Sequence, residues 1–263
     1  MNSGDTLTQP VEAPRNRYIA MFHIGRSGSR VLADILNQHP QVYWDGETYE
    51  RLIQDWEKKG KTIGTHGLPV DLIEHLQQRM TGTENTFFGF EVKFFHLRLA
   101  HITLQHYVEH LYQLGFSHFI ILKRQNVLRK IVSSVIAHKN AQYHISANEK
   151  TKKTRIELDI DNVQIDRDAK PLIAYLQDYE KSFRTLETLL KDQQVLQLTY
   201  EDDISANPYV GYEKICHFLQ VTPQAVSIRY GKTNPFTLAE MLINFREVAH
   251  LLKGTPFEWM LYE

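Results

Sequence analysis

The 263-residue chain has one cysteine, Cys216, so no intramolecular disulfide can form and its thiol content does not tie it to an oxidising compartment. Cys216 falls in a helical pattern beside Ile215 and Phe218, which predicts a packing role. The chain lacks a charge excess: 30 basic residues face 31 acidic ones, for a formal net charge of −1. That balance argues against nucleic acid as a partner, since such binders carry a basic surplus. It also lacks a long hydrophobic run: nothing approaches the roughly 18 apolar residues of a membrane span. Residues 1–16 lack the apolar core of a signal peptide. They are polar and contain proline, which predicts a disordered tail ahead of a single domain over 17–263. Internal repeats and low-complexity tracts are absent too. A hydrophobic content of 42% with 23% charged residues fits a globular protein, and the expected location is the cytoplasm.

What is present is concentrated near the start. An apolar, strand-like run over 18–22 leads into His23-Ile24-Gly25-Arg26-Ser27-Gly28-Ser29-Arg30. A helical pattern follows over 29–38, with Val31, Leu32, Ile35 and Leu36 on one face. A helix N-terminus offers unpaired N–H groups and the positive end of a dipole. Glycines let a ligand approach the backbone closely, so the turn reads as a phosphate cradle. Arg26 and Arg30 suit it to a multiply charged anion. Gly25 and Gly28 are three apart, so neither the nucleoside-triphosphate loop G-x-x-x-x-G-K-[ST] nor G-x-G-x-x-G is present. Taken alone, the segment is equally an ordinary strand-to-helix turn whose arginines face water.

Further strands are predicted over 87–95, 118–123 and 195–200. Helical patterns cover 48–80 with glycine interruptions, then 97–114, 126–138, 170–192, 210–219 and 237–252. Residues 41–47 read as an extended or turning connection, and the polar stretch 139–169 as a mobile segment. Strands alternating with helices predict an α/β fold: a central, mainly parallel sheet flanked by helices on both faces. Ligands of such sheets sit at the carboxyl ends of the strands.

A second basic turn follows the strand at 118–123. Lys123, Arg124, Arg129 and Lys130 place four cations within eight residues, and Ser133 and Ser134 come after them. Alone, that is a solvated helix face. With the first turn it acquires another meaning. Parallel strands would bring both turns to one sheet edge, where one ligand with phosphates at two ends would engage both.

Together these motifs resemble the sulfotransferases that use 3′-phosphoadenosine 5′-phosphosulfate (PAPS), in their bacterial, carbohydrate-type branch. Arg26-Ser27-Gly28-Ser29 matches the family's K/R-S-G-[ST] loop for the 5′-phosphosulfate. Arg124, with Ser133 or Ser134, matches the Arg…Ser pair for the 3′-phosphate. Tyr200-Glu201-Asp202-Asp203 is similar to the family's Y-E-D-L strand end, a structural element. Stretches at 232–235, 244–248 and 252–255 are similar to its C-terminal region, so the resemblance spans about 18–260. It implies a P-loop-NTPase-like sulfotransferase fold with PAPS as sulfuryl donor, no metal, and a carbohydrate, lipid or small alcohol as acceptor. Cofactor contacts are implied for Arg26, Ser27, Gly28, Ser29, Arg30, Arg124 and Ser133. Lys232 joins them through a loose echo of the family's Arg-Lys-Gly loop.

For the general base the resemblance points to Glu47, soon after the His39-Pro40 turn, with its pKa expected to rise toward neutrality beside Trp44. His96 and Glu91 are reserve candidates, and Lys93 would assist the sulfuryl oxygens. The cytosolic branch carries a Lys-Thr-His strand at the place of Gly89-Phe90-Glu91-Val92-Lys93-Phe94-Phe95-His96, and the spacing differs. Residues 48–86 and 139–169, with Tyr49, Trp56 and Tyr143, would wall the acceptor pocket. His101, His106 and His110 lack zinc-site spacing, which predicts solvated or packed rings. Two other readings stay open: a phosphotransferase of the nucleoside-triphosphate loop class, and a nucleotide-binding protein without turnover.

Overall fold

A computed structural model describes residues 17–60, 71–83 and 87–262. The predicted tail at 1–16, and 61–70 and 84–86 of the predicted acceptor wall, lie outside the described residues. The first half of the chain runs β1 (Tyr18–His23), α1 (Ser29–Leu36), β2 (Val42–Gly46), α2 (Thr48–Lys58), α3 (Leu72–Met80), β3 (Phe87–Lys93), α4 (Phe94–Leu99) and α5 (Leu104–Gln113). The second half runs β4 (His118–Lys123), α6 (Val127–Asn140), β5 (Val163–Ile165), β6 (Asp168–Lys170), α7 (Leu172–Leu189), β7 (Gln194–Thr199), α8 (Pro208–Phe218), α9 (Leu238–Met241) and α10 (Phe245–Leu252).

Five strands form one sheet in the order β2-β3-β1-β4-β7, and every neighbouring pair is parallel. Successive side chains of a strand point to opposite faces, so each central strand feeds two cores. Ala20, Phe22, Phe88, Phe90, Phe119 and Ile121 pack against α2, α3, α5, α6 and α7. Ile19, Met21, Trp44, Ile120 and Leu122 pack against α1 and α8. Burial on both faces explains why β1 and β4 are continuous apolar runs. A pair of three-residue strands, β5 and β6, makes a separate antiparallel hairpin. Among the described residues no helix is long and apolar enough to cross a membrane.

Several boundaries differ from the sequence reading. Residues 42–46 are an edge strand rather than a connection. Only Val42 and Trp44 supply an apolar alternation around half-exposed Tyr43, and Asp45-Gly46 disguises the end. Strand β3 stops at Lys93, because Phe94 already opens α4. The helix expected over 97–114 is broken at His101, which takes φ 54°, and Thr103 caps the new helix α5. The helix expected over 237–252 is split where Leu242 leaves it to bridge Ile156. That bridge belongs to the stretch expected to be mobile. Ile145, Ile156, Leu158, Val163 and Ile165 of 139–169 are all buried, so the segment packs onto the domain instead of standing off it.

Candidate functional site

Because all five strands run the same way, the chain leaves every one of them at the same edge. A cavity of about 1330 Å³ lies there, lined by residues following β1, β2, β3, β4 and β7 together with the segments 143–145, 164–169 and 230–234.

The turn after β1 forms one wall. Gly25, Arg26 and Gly28 take φ values of 74°, 52° and 80°. A left-handed non-glycine residue such as Arg26 costs about 1–2 kcal/mol, so its surroundings must hold it there. Gly28 is required on two counts: its φ, and a Cβ that would stand 2.6 Å from Ile204 Cγ2. As N-cap of α1 it offers no side-chain acceptor, so the Ser29 and Arg30 N–H groups carry no side-chain cap, while the Val31 N–H donates to the Gly28 carbonyl at 3.1 Å. Ser29 and Arg30 line the cavity, and Arg30 donates to the Tyr230 hydroxyl at 2.8 Å. Ser27 is fully buried and its hydroxyl donates to the Gly25 carbonyl at 3.0 Å, outside the cavity lining.

The turn after β4 meets it. The Arg124 guanidinium donates to the Arg26 carbonyl, and its plane lies 4.6 Å from the centre of the Tyr200 ring. Arg26 Nε donates to Ser133 Oγ at 3.0 Å, and its other nitrogens donate to the Tyr143 carbonyl and the Thr233 hydroxyl. Asn234 also donates to Ser133 Oγ, at 3.0 Å. Among the described residues neither arginine has a carboxylate within ion-pair distance. Burial pushes the Arg26 guanidinium below its ordinary value. Burial lowers Arg124 to about 10, against the pull of Tyr200 and Glu201, so it stays cationic at neutral pH. Arg124 Nε has no hydrogen-bond partner. Two such cations side by side, with neutral partners only, are a standing attraction for an anion. Lys232 stands on the same wall and donates to Ser205 Oγ at 3.2 Å.

The opposite wall carries carboxylates. Lys93 Nζ donates to Glu47 Oε2 at 2.6 Å and stands 3.8 Å from Glu50. Burial by itself would raise the Glu47 carboxyl, but the Lys93 ammonium beside it holds it down to about 2. The expected rise toward neutrality is therefore reversed. Trp44 does not surround Glu47; it lies over Gly89 and donates to Glu91 at 3.2 Å. Burial disfavours the Lys93 ammonium, yet Glu47 and Glu50 outweigh it and raise the group. His96 is fully buried and lies outside the cavity lining. Its Nδ1 accepts the Lys93 backbone N–H at 3.2 Å, its Nε2 lies 3.5 Å from Glu50, and burial lowers it. As a reserve base it sits behind Lys93 rather than facing a ligand. Glu91 is likewise buried outside the lining.

Several contributors were not singled out from the sequence. The hairpin turn Asp166-Arg167 reaches the cavity with φ values of 53° and 56°. Arg167 pairs with Glu50 and Glu57 of α2, each at 2.9 Å. Asp166 accepts from Lys130 Nζ at 2.5 Å and from the Tyr179 hydroxyl. Lys130, counted among the cations of a solvated face, is fully buried. Of the aromatics expected to wall the acceptor, Tyr143 lines the cavity. Tyr49 is in the core, 2.6 Å from the Tyr107 hydroxyl, and neither it nor Trp56 lines the cavity. From 48–86, Glu50, Gln54 and Glu57 do so.

Glu201 accepts the N–H groups of Gln125 at 3.0 Å and Asn126 at 3.2 Å, and Asp203 accepts that of Thr199 at 2.7 Å. These carboxylates brace turns rather than gather around a cation. His106 and His110 bring their Nε2 atoms to 2.9 Å on the exposed face of α5, while His101 lies outside the helix. Among the described residues, His23, Glu47 and Glu91 form the one triplet close enough for a shared metal. His23 fits that role poorly. Its Nδ1 accepts the Gly25 N–H at 3.0 Å, which places the proton of the neutral ring on Nε2; that atom lies 3.1 Å from Glu91 Oε2 without a hydrogen bond to it. A nitrogen that carries a proton offers no lone pair to a cation.

No protein-family model matches the chain, and no curated protein matches its sequence.

Proposed function

We propose that this protein is a sulfotransferase of the P-loop-like class, which moves a sulfuryl group from PAPS to an acceptor hydroxyl. One observation carries the reading. Arg26 and Arg124 come from separate strand-to-helix turns and stand together over a large cavity, and among the described residues no carboxylate lies within ion-pair distance of either. A ligand with phosphates at two ends supplies the missing charge. The motif order along the chain selects that donor over other dianions.

The donor supplies an activated sulfuryl group and a leaving phosphate. Arg26 and the first N–H groups of α1 would hold the leaving phosphate, and Arg124, Ser133 and Lys232 the 3′-phosphate. Lys93 lies between the two walls: its stem passes 3.8 Å from where a Cβ on Gly25 would stand, and its ammonium bonds Glu47. It would meet the equatorial sulfuryl oxygens. Glu47, ionised throughout the neutral range, accepts the hydrogen bond of the acceptor hydroxyl and orients it for in-line attack. As the new O–S bond forms and the S–O bond to the leaving phosphate breaks, the hydroxyl proton passes to Glu47. A carboxylate with so low a pKa is a weak base, so proton transfer follows bond cleavage rather than leading it. At about 1330 Å³ the cavity exceeds the usual 300–1,000 Å³ range of small-molecule sites, consistent with two ligands bound together.

The test is incubation with PAPS and a panel of saccharides and small alcohols in the presence of EDTA. Addition of one sulfuryl mass to an acceptor is the expected result. A requirement for Mg²⁺ and a nucleoside triphosphate would favour the phosphotransferase reading. Tight binding of 3′-phosphoadenosine 5′-phosphate with no transfer would favour the silent nucleotide binder.

A further inference from the structure

Beneath the cradle lies a buried polar chain that the reaction scheme does not use. His23 ends β1 and is fully buried; Glu91, on the neighbouring strand β3, is 2% exposed. Trp44 of β2 donates to Glu91 Oε1 at 3.2 Å, while Glu91 Oε2 faces His23 Nε2 at 3.1 Å. On its other side the His23 ring accepts the Gly25 N–H. Glu91 Oε2 and His23 Nε2 approach without a hydrogen bond, so the ring is anchored through its Nδ1, on the first residue of the left-handed turn.

The contact with Gly25 is a side-chain substitute for a backbone turn, made across two residues. It acts where the chain most needs it. Gly25 and Arg26 are consecutive left-handed residues, and Arg26 has a Cβ that opposes that conformation. The Ser27 hydroxyl on the Gly25 carbonyl and the Arg124 guanidinium on the Arg26 carbonyl hold the turn from above. His23 is the restraint from below. The three ligand atoms of His23, Glu91 and Glu47 lie within 4.8 Å of one another, so the same ring also stands beside the proposed base.

We infer that His23 is a positioning residue: its Nδ1 clamps the Gly25 amide and so presets the anion affinity of the cradle. The inference rests on the sulfotransferase reading for the identity of the nucleotide, but not for the clamp itself.

Three variants separate the roles of the ring. In His23→Asn the short amide can place an oxygen near the Nδ1 position and keep the Gly25 contact. In His23→Gln the longer side chain stays polar but leaves Gly25 unheld, and His23→Leu removes the acceptor altogether. Binding is measured by calorimetry with two probes, 3′-phosphoadenosine 5′-phosphate and inorganic pyrophosphate, beside far-UV spectra and melting curves of each variant. The expected result is an Asn variant within about threefold of wild type, and Gln and Leu variants weakened about tenfold or more, the worth of one well-placed hydrogen bond. Should the Leu variant fail to fold, the Asn–Gln comparison decides. Wild-type binding of pyrophosphate without the nucleotide would remove the sulfotransferase reading and leave the clamp to be judged on pyrophosphate. Nitrogen-15 spectra of histidine-labelled protein give an independent check. A proton on Nδ1 of His23, or equal affinities across the three variants, would overturn the inference.

Discussion

The guanidinium of Arg124 donates to the backbone carbonyl of Arg26, a residue 98 positions earlier in the chain. One cation of the site is thus part of the scaffold for the other. The bond holds the left-handed turn and ties the Arg124 charge to it before any ligand arrives.

Replacing Arg124 by methionine should uncouple stability from binding. The buried charge has no carboxylate partner, so an apolar side chain of similar length removes a desolvation cost, at the loss of one bond to Arg26. The melting temperature should stay level or rise. Affinity for 3′-phosphoadenosine 5′-phosphate should fall about 10- to 100-fold, as befits a lost charged hydrogen bond. Paired thermal melts and calorimetry read both quantities.

Substituting Glu47 by glutamine should reduce turnover about 10²- to 10⁴-fold and leave the donor constant nearly unchanged. Single-turnover kinetics with PAPS separate the two. Unchanged turnover would move the base to another group.

The same carboxylate makes a statement about acid stability. Its folded pKa of about 2 lies below the ordinary 4.5, so folding favours the ionised form. The stabilisation is fully present above pH 4.5 and drains away as the pH falls toward 2. Wild-type protein should therefore lose melting temperature more steeply across that window than Glu47→Gln. Parallel melting curves would contradict the Lys93–Glu47 pairing.

Gly28→Ala should destabilise the domain by about 1–3 kcal/mol, since alanine opposes a φ of 80° and its methyl would overlap Ile204. Equilibrium denaturation measures it. Gly60→Ala, with a similar φ of 70° but no described residue within 4 Å of the new methyl, serves as control and should cost less.

Lys130→Met should cost about 3 kcal/mol, because it leaves the Asp166 carboxylate without its cation. Adding Asp166→Asn should recover part of that loss. A double-mutant cycle by urea denaturation gives the coupling directly.

The parts legible in the sequence are those set by local pattern. Strand β4 was read at its observed limits, because 118–123 is apolar between charged and turn-forming residues. Both basic turns stood out for the same reason, and parallel strands made their shared edge predictable. What escaped depends on partners far along the chain. Glu47 has its low pKa because of Lys93, 46 residues away, and no local feature announces that meeting. Lys130 resembled a surface cation until Asp166 and Tyr179 came together around it. Strand β2 was hidden by its length, with two inward side chains too few for an alternation to register.

The hairpin of β5 and β6 forms part of the cavity wall, outside the five-stranded sheet, held to the body by the buried side chains of Val163 and Ile165 and by the ion pairs of its turn. On the sulfotransferase reading proposed above, changes confined to 163–170 redraw the face that would meet the acceptor while the anion end keeps its shape. A family descended from this architecture has a natural place to diversify: one short ribbon, whose replacement would alter which molecules are accepted without rebuilding the machinery that handles the charged partner.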